Sequence, residues 1–405
     1  MKRLKRRLLF IAEAVTLSHV VRPTVLAQAL DPERYEVYVA CDPRYNSLFA
    51  DLPFRVIPIK SSIPEEHLVE RLASGNPLFD VPTLDAYIKE DLQLIAELSP
   101  EIVIGDMRQS LAISTRLSHT TYVNIINAQW SPYAHLPFEL PHNPLASFIG
   151  QPLADLAFSF AAPFGMGAHA APLNIARLKH GLPPMSWDVK EVYSYGDYTL
   201  YPDIPQLVPT SGLPSNHHYI GPVLWSPHTS APTWWDQLPS DRPLIYVNLG
   251  SSGQHTLLPV VLRALGRLPV TVMAATASTA KVFEVPANVY LAQYLPGSEA
   301  AQRSQLVICN GGNMSTQQAL AGGAPVLAII SNLDQLLFAR AVERAGAGEV
   351  LREGEVEEGL VKRVVWRMLR WRGYREAARG IAEVYKQMDA ALLFPNFIAS
   401  IPSRH

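Results

Sequence analysis

The sequence predicts a two-domain α/β protein in which each domain is a doubly wound sheet of parallel strands. Three observations lead to this fold class. The chain has 405 residues, which is more than one hydrophobic core usually organises. Short apolar runs alternate with longer stretches of helical periodicity, the pattern of strand–helix–strand units. A stretch rich in Pro, Ser, Asp and His, 202–243, separates two such series.

The first half contains the first series. Its apolar runs predict strands, and the periodic stretches between them predict helices, as follows: strand 8–14, helix 22–30, strand 35–41, strand 102–105, a helix ending near Leu117, and strand 121–126. The stretch 130–184 departs from this rhythm because it is rich in Pro, Phe, Ala and Gly.

The second half repeats the logic. Its predicted elements are strand 244–249, helix 257–265, strand 270–275, strand 289–292, strand 306–309, helix 315–322, strand 325–330, helix 335–345 and a C-terminal helix over 361–388. We therefore expect a first domain over 1–205, a linker over 206–240, a second domain over 241–385, and a tail over 386–405 that returns to the first domain.

Composition excludes several classes of protein. Hydrophobic residues make up 48% and charged residues 17% of the chain, which fits a globular protein and not a disordered one. A net charge of -2 gives no overall attraction to nucleic acid. Two cysteines, Cys41 and Cys309, are too few for a disulfide framework.

The basic and apolar start of the chain is not expected to be a targeting signal. The basic start, 2–7, precedes an apolar run that is short and contains Glu13. We therefore interpret this apolar run as the first strand and not as part of a secretory signal. No run reaches the roughly 18 to 20 apolar residues that a membrane-spanning helix needs. These observations predict a cytoplasmic protein and leave peripheral membrane contact open.

The strongest chemical signal is a glycine-rich segment after strand 306–309. It reads Asn310, Gly311, Gly312, Asn313, Met314, Ser315, Thr316 and opens a helix. Glycines let backbone N–H groups approach an anion, and hydroxyl groups at a helix N-terminus add donors where the helix dipole favours negative charge. A tight turn capped by Ser315 would give the same pattern without a ligand.

Two further loops of the second half are expected at the same crevice. Gly250, Ser251 and Ser252 follow strand 244–249 and form a second candidate anion nest. Asp334 and Gln335 stand at the start of a later helix. The carboxylate and the amide suit vicinal sugar hydroxyls, although Asp334 alone is also a common helix cap.

This half resembles the donor domain of the family 1 glycosyltransferases, which include macrolide-type and UDP-sugar enzymes. Their hallmark is similar to His-Gly-Gly-x-Asn-Ser-Thr, followed by Glu-Ala-Leu on a helix, Gly-x-Pro and Asp-Gln. The matching positions in this chain are Gly311, Gly312, Ser315, Thr316, Ala319, Leu320, Gly323, Pro325, Asp334 and Gln335. The resemblance implies the GT-B fold, two Rossmann-like domains facing a central cleft, with a donor diphosphate in the glycine-rich loop.

The resemblance also assigns neighbouring positions. Tyr294 and Leu295 resemble the family's Trp-Val segment, where the nucleotide base stacks and is read by backbone atoms. Asn310 stands where a phosphate-binding His is usual, and Gln318 where a ribose-binding Glu is usual. Both replacements remain polar, so we expect Asn310, Asn313 and Gln318 to belong to the donor site with altered strength or selectivity.

The first half supplies the expected catalytic residues. His19 follows the first strand in a Ser-His-Val-Val-Arg-Pro segment that resembles the family's base-bearing segment, with one extra residue before Pro23. Histidine is matched to proton transfer at neutral pH, and Asp106, directly after strand 102–105, is expected to orient it. A helix cap is the alternative role for Asp106. We also expect Arg108 and Asn127 to face this cleft.

Together these features predict an inverting glycosyltransferase that moves a sugar from a UDP- or dTDP-sugar to a hydroxyl of a small, apolar acceptor. We expect no cofactor and no metal, since no Asp-x-Asp or Cys/His cluster occurs. The stretch 130–184 is either an acceptor-site wall or a structural helical subdomain. Two alternative functions are a catalytically silent homologue that binds nucleotide or activates a partner enzyme, and a sugar-nucleotide epimerase.

Overall fold

The computed structural model describes residues 5–49, 52–60, 63, 71, 76–140, 146–227, 229–250, 254–276 and 284–403. Its described residues form two parallel sheets, one in each half of the chain. The first sheet contains β1 (Arg6–Ala12), β2 (Tyr35–Cys41), β3 (Arg55–Pro58), β4 (Ile102–Asp106), β5 (Thr121–Ile125), β6 (Tyr198–Tyr201) and β7 (His217–Tyr219). The second contains β8 (Leu244–Asn248), β9 (Thr271–Ala275), β10 (Val289–Ala292), β11 (Leu306–Cys309), β12 (Val326–Ile330) and β13 (Gly348–Arg352).

Helices cover both faces of each sheet, as doubly wound sheets require. They are α1 (Leu17–Gln28), α2 (Val81–Leu98), α3 (Leu111–Leu117), α4 (Ala146–Ile149), α5 (Gln151–Lys179), α6 (Val189–Tyr193), α7 (Leu258–Gly266), α8 (Gly297–Arg303), α9 (Asn313–Ala321), α10 (Leu333–Arg344), α11 (Glu358–Arg370), α12 (Arg372–Gln387) and α13 (Ala390–Ser400). Strands β4, β9, β11 and β12 are buried along their whole length, which is why they appear in the sequence as continuous apolar runs.

Strand order fixes where a ligand can bind. The first sheet runs β3-β2-β1-β4-β5-β6-β7 and the second runs β10-β9-β8-β11-β12-β13. Each order reverses direction once, between β1 and β4 and between β8 and β11. In doubly wound sheets the crevice at the carboxyl ends of these strands is the usual ligand site. Ala12 lies opposite Asp106 and Cys309 opposite Asn248, so the predicted catalytic and donor loops leave their sheets at these two crevices.

The chain crosses back at its C-terminus. Helix α13 packs on the first sheet, where the ring of Phe394 lies 6.0 Å from that of Phe10 and the ring of Phe397 lies 5.4 Å from that of Tyr198. Arg6 Nη1 donates to the carbonyl of Ile401 at 3.1 Å. The end of the chain therefore belongs to the core of the first half.

Two predicted boundaries are wrong. The segment 206–240, predicted as a linker, contains β7, which pairs with β6; three residues among prolines are too short a strand for an alternation signal. The helix predicted over 361–388 is two helices, because the backbone leaves the helical region at Trp371, with φ -88° and ψ 105°. The other domain boundaries stay predictions.

Candidate active site

His19 and Asp106 meet at the crevice of the first sheet. Asp106 is the last residue of β4, and His19 lies in the first turn of α1, which follows β1. His19 Nδ1 is 2.7 Å from Asp106 Oδ1. Asp106 is fully buried and the His19 side chain is 13% exposed. Helix α3 begins only at Leu111 after Ser110, so Asp106 does not cap it. The pair leaves the other imidazole nitrogen, Nε2, for a ligand.

Arg22, one turn after His19, shares the same carboxylate. Its Nε donates to Asp106 Oδ2 at 2.8 Å, and its Nη2 donates to Oδ1 at 2.8 Å. Nη2 also lies 2.9 Å from His19 Nδ1, and Nη1 donates to Asn127 Oδ1. Arg22 is 4% exposed. The His19–Asp106 pair therefore belongs to a largely buried four-residue network, and Arg22 was not among the site residues predicted from the sequence.

Arg108 and Asn127 have different surroundings, although the sequence predicted both at one cleft. Asn127 does join the network through Arg22. Arg108 does not face the cleft: it is fully buried, where it donates to Glu13 Oε2 at 2.8 Å and to Asp91 Oδ1 at 3.0 Å. Burial raises the pKa of both carboxyls, and the positive charge of Arg108 offsets part of that rise. Arg108 is an internal counter-charge of the first half.

Asp203 is a further buried carboxyl at the same edge of the sheet, two residues after the end of β6. Its Oδ1 accepts from the backbone N–H of Ile204 at 2.8 Å. Its Oδ2 has no hydrogen-bond partner among the described residues, and the same holds for the buried hydroxyl of Tyr385 on α12. Burial raises the pKa of Asp203 to about 8, against the opposing charge of Arg22. A charged residue directly after a strand was the available sequence signal.

Two glycine loops of the second half adjoin each other. Gly250 has φ +74°, and a Cβ there would lie 2.7 Å from Asn310 Nδ2. Gly311 also has φ +74°, and a Cβ there would lie 2.8 Å from a methyl group of Ile330. Only glycine satisfies both conditions. Asn310 Oδ1 accepts from the N–H of Gly312 at 3.1 Å, which tightens the loop. Ser251 and Ser252, predicted in the same nest, lie outside the described residues.

Helix α9 begins beside these loops, with Gly312 as its N-cap and no side-chain cap. The turn capped by Ser315 is therefore absent. Ser315 is half-buried, whereas Thr316 is fully buried and its hydroxyl lies 3.5 Å from Cys309 Sγ. The first turn of α9 directs the Thr316 side chain toward the sheet, so its predicted contact with a diphosphate stays a prediction, and Ser315 is the more accessible of the two hydroxyls. The uncapped N–H groups remain suited to an anion.

The residues predicted to bind the nucleoside, Tyr294, Leu295 and Gln318, differ in exposure, and Gln318 is already hydrogen-bonded within the protein. Tyr294 is 49% exposed and Leu295 3% exposed. Gln318 is buried, and its Nε2 donates to the carbonyl of Trp225 and to Ser226 Oγ. Its Oε1 faces Gly297. Gln318 therefore fastens α9 to the chain that enters the second half, and its oxygen is the atom left for a ribose hydroxyl.

Asp334 and Gln335 are placed by α10, whose N-cap is Asn332 and not Asp334. Gln335 Oε1 accepts from the backbone N–H of Ser331 at 2.9 Å, so its amide group is partly engaged. Asp334 Oδ1 accepts from Trp130 Nε1 at 2.7 Å and from Gln129 Nε2 at 3.0 Å. Both donors come from the first half.

Gln129 and Trp130 link the two predicted sites. They lie in the turn after β5, directly beyond Asn127. Gln129 Nε2 also lies 2.9 Å from Asn313 Oδ1 in the glycine-rich segment. One short turn therefore connects the His19 network to the donor loops. No local sequence pattern indicates a contact across the halves, which is why these two residues were missed.

Known proteins resemble both the second half and nearly the whole of this chain. Residues 259–390 match the model of the Erythromycin biosynthesis protein CIII-like, C-terminal domain. Over 396 residues, 98% of this chain, it is 48% identical to the "PGL/p-HBAD biosynthesis glycosyltransferase" of Mycobacterium tuberculosis H37Ra, and it covers 92% of that protein. It is also 48% identical to the "PGL/p-HBAD biosynthesis rhamnosyltransferase" of Mycobacterium bovis BCG over 94% of this chain and 84% of that one. The chain belongs to this glycosyltransferase family.

Solved structures place the glycosyltransferase in the GT-B fold. The spinosyn forosaminyltransferase SpnP has a TM-score of 0.71 at 20% identity, with 97% of this chain and 98% of that chain covered. The spinosyn rhamnosyltransferase SpnG has a TM-score of 0.71 at 18% identity, with 97% and 100% covered. The expected enzyme class and fold are thus confirmed. A relative named "Inactive PGL/p-HBAD biosynthesis glycosyltransferase" from Mycobacterium bovis BCG is 49% identical over 65% of this chain and 72% of its own length.

Ion pairs join the two halves of this glycosyltransferase. Glu139 Oε2 accepts from Arg340 Nη2 at 2.8 Å and lies 3.3 Å from Arg352 Nη2. Arg352 also pairs with Asp155 of α5 at 3.0 Å. Glu139 and Asp155 belong to the stretch 130–184 and both arginines to the second half. The stretch therefore contacts the second half, and its predicted role as acceptor-site wall or structural subdomain stays open.

Helix α5 starts beside the ion pair of Asp155 and Arg352 and is apolar on its solvent-exposed face. Phe160 is 73% and Phe164 86% exposed, and Leu153 and Leu156 are more than half exposed. These residues recur at helical spacing on one side, while Ala154, Ala162 and Ala170 are buried on the other. Three of the five phenylalanines of this stretch, Phe148, Phe160 and Phe164, are thus exposed.

Two features are absent from the described residues, a helix that could span a membrane and a group of side chains that could hold a metal ion. Among the described residues, no helix of this glycosyltransferase is long and apolar enough to span a membrane. Within the same part of the chain, no group of three or more His, Cys, Asp or Glu side chains is placed to hold a metal ion.

Proposed function

We propose that this glycosyltransferase moves a sugar from a nucleoside diphosphate donor to a hydroxyl group of a small, apolar acceptor, with inversion at the anomeric carbon and without a metal ion. His19 is the general base and Asp106 orients it. The donor lies in the loops of Gly250 and Asn310 and at the start of α9. The contact between the turn of Gln129 and Trp130 and the donor residue Asp334 is the observation that carries the proposal, since it brings both halves to one site.

The proton transfer follows from the His19 pair. With its Nδ1–H donating to Asp106 Oδ1, the imidazole presents the Nε2 lone pair to an acceptor hydroxyl. The acceptor O–H bond breaks as its oxygen bonds to the anomeric carbon, and the proton goes to Nε2. Asp106 then stabilises the imidazolium. Attack from the face opposite the diphosphate inverts the configuration.

The leaving diphosphate takes the electron pair of the broken bond to the anomeric carbon. The Nδ2 group of Asn310 and the N–H groups at the uncapped start of α9 would stabilise its charge. Fixed donors at a cleft screened from water are worth more than the same donors in solution. This supports a reaction in which no metal ion neutralises the leaving group.

The relatives suggest which donor to test first. Two of the compared proteins are named rhamnosyltransferases, one of them a close relative at 48% identity. The structure of SpnG was determined with thymidine diphosphate, at a TM-score of 0.69 to this chain. We therefore take dTDP-rhamnose as the first donor. The exposed apolar face of α5 supports an apolar acceptor.

The silent-homologue alternative has a specific reason to be tested, since a shorter relative is named inactive. The intact His19–Asp106 contact favours an active enzyme, because nucleotide binding alone needs no oriented base. The epimerase alternative lacks support, as Asp334 is the one acidic residue of the donor loops in the described part of the chain.

Transfer of rhamnose from dTDP-rhamnose to a panel of apolar phenols and alcohols, followed by mass spectrometry, tests the proposal. The wild type should form glycoside, and His19→Gln should lose at least about a hundredfold in rate, the typical worth of a general base. The matched control is His180→Gln, which removes another His–Asp contact, 3.4 Å to Asp85, away from the cleft. No product with any acceptor, while dTDP still binds, would favour the silent homologue.

A further inference from the structure

Arg22 is the feature of the catalytic network that the reaction above does not use. It makes two parallel hydrogen bonds to Asp106, both 2.8 Å long. Paired N–H···O bonds of this kind are the strongest arrangement between a guanidinium group and a carboxylate. Arg22 is only 4% exposed and Asp106 is fully buried, so water does not screen the interaction. The counter-charge of Asp106 in the resting protein is thus Arg22.

This arrangement changes what Asp106 does to His19. A lone buried carboxylate beside an imidazole stabilises the protonated ring, and a ring that is already protonated cannot act as a base. Here the positive charge of Arg22 lies 2.9 Å from His19 Nδ1, close to the 2.7 Å of the carboxylate. The two charges act on the ring in opposite directions.

We infer that Arg22 is a positioning residue that balances the charge of Asp106 on the His19 imidazole, so that the ring is ready to accept the acceptor's proton. The inference rests on the proposed role of His19 as base. Arg22 touches neither donor nor acceptor in this account. It acts through Asp106, whose orientation it fixes and whose charge it balances.

The surroundings contain few other charges that could produce the same effect. Glu13, after β1, is bound by Arg108. Asp42, after β2, lies 3.7 Å from Arg44. Helix α13, which packs on α1, carries no ionisable side chain between Ala390 and Ser400. Asp203 interacts electrostatically with Arg22 and must be controlled for.

The test is a nuclear magnetic resonance titration of the histidine ring carbons, which needs no substrate. The full chain has 12 histidines, and His19→Gln assigns the signal of His19. The decisive comparison is Asp106→Asn against Arg22→Met/Asp106→Asn, which differ in the charge and the N–H donors of Arg22. The titration midpoint of His19 should be higher in the double variant by at least about one pH unit, because unit charges a few Å apart interact strongly where water is excluded.

Controls separate this effect from a structural one. The pair is repeated with Asp203→Asn in both members, to remove a carboxyl that titrates in the same range. If Asp106→Asn does not fold, Arg22→Gln is compared with Arg22→Lys, and the Gln variant should have the higher midpoint by the same margin. Equal midpoints within about 0.3 unit in either comparison would overturn the inference and leave Arg22 a purely structural partner of Asp106.

The result is independent of the proposed reaction. If His19→Gln retains transfer activity, the role of His19 as base fails whatever the titration shows. If transfer depends on His19 but the midpoints coincide, the proposed function stands and the role of Arg22 fails. In active variants the acidic limb of the pH profile of kcat/KM should move with the midpoint, whereas a structural defect would lower the whole profile.

Discussion

Replacing Trp130 by Phe tests whether the first half of the chain positions a sugar-binding residue in the second half. The substitution removes the indole N–H that lies 2.7 Å from Asp334 Oδ1. The ring would keep its packing, since Tyr193 lies 5.4 Å and Phe138 6.5 Å from the Trp130 ring between centroids. Asp334 would keep the Gln129 amide at 3.0 Å. The change is thus confined to one hydrogen bond to a charged acceptor.

The expected magnitude follows from that hydrogen bond. Bonds to charged groups contribute about 1.5–3 kcal/mol, and the remaining Gln129 contact places this loss near the lower end, at about 1–2 kcal/mol. Among the described residues both contacts fall on Oδ1, which leaves Oδ2 for a sugar hydroxyl. A misplaced Asp334 should therefore weaken dTDP-rhamnose binding roughly 5- to 30-fold. Affinity for dTDP alone should stay within about twofold, because the proposal assigns Asp334 to the sugar and the glycine loops to the diphosphate.

Isothermal titration of both ligands into wild type and Trp130→Phe measures the difference. Trp366→Phe is the matched control, since Trp366 is 41% exposed on α11 and the same substitution there should change neither affinity. Equal weakening of dTDP and dTDP-rhamnose would refute the reasoning, because it would mean that the contact holds the halves together without acting on the sugar. So would unchanged affinity for both.

Three further predictions concern residues whose surroundings the structure defines. Asp203 has a pKa raised to about 8, so the folded state holds its proton where the unfolded chain releases it near 3.8; stability from this group is complete below about pH 4 and is lost as pH rises through 8. Asp203→Asn should therefore gain a few kcal/mol relative to wild type between pH 5 and pH 8 in urea unfolding, and a constant difference would contradict the burial argument. Thr316→Val should leave dTDP affinity unchanged, since the hydroxyl faces Cys309, whereas Ser315→Ala should weaken it several-fold by calorimetry; the reverse order would mean that α9 is rotated. Glu139→Gln removes the charge that binds Arg340 and Arg352 of the second half and should raise the donor KM about 2- to 10-fold with less change in kcat; an unchanged KM would show that these ion pairs do not contribute to donor binding.

The sequence predicted the two sheets well because their strands are buried on both faces and alternate with amphipathic helices. The order of β8, β11 and β12 around the glycine loops could be expected from the same pattern. Strand β7 could not, since three residues among prolines carry no alternation. The sequence did not predict the 29-residue helix α5. Its exposed face is apolar like its buried face, so no polar side defines a helical period in the sequence.

The candidate site could be predicted where one loop holds its own residues together. The positions of Gly250, Asn310 and Gly311 follow from backbone conformation and close approach, which glycine reports directly. Arg22 and Trp130 could not be found, because their partners lie 84 and 204 residues away in the chain. The burial of Thr316 could not be found for a related reason: the motif gives the helix start, but the rotation of α9 on the sheet decides which hydroxyl is buried.

Calorimetric titration of dTDP into wild type, His19→Gln and Asn310→Ala tests most directly the claim that the two halves divide binding and catalysis between them. His19→Gln should bind dTDP as the wild type does, since its loss is confined to proton transfer. Asn310→Ala should bind about tenfold or more weakly, because it loses a donor to phosphate and the hydrogen bond that shapes the loop. Weakened binding in His19→Gln, or unchanged binding in Asn310→Ala, would contradict the account.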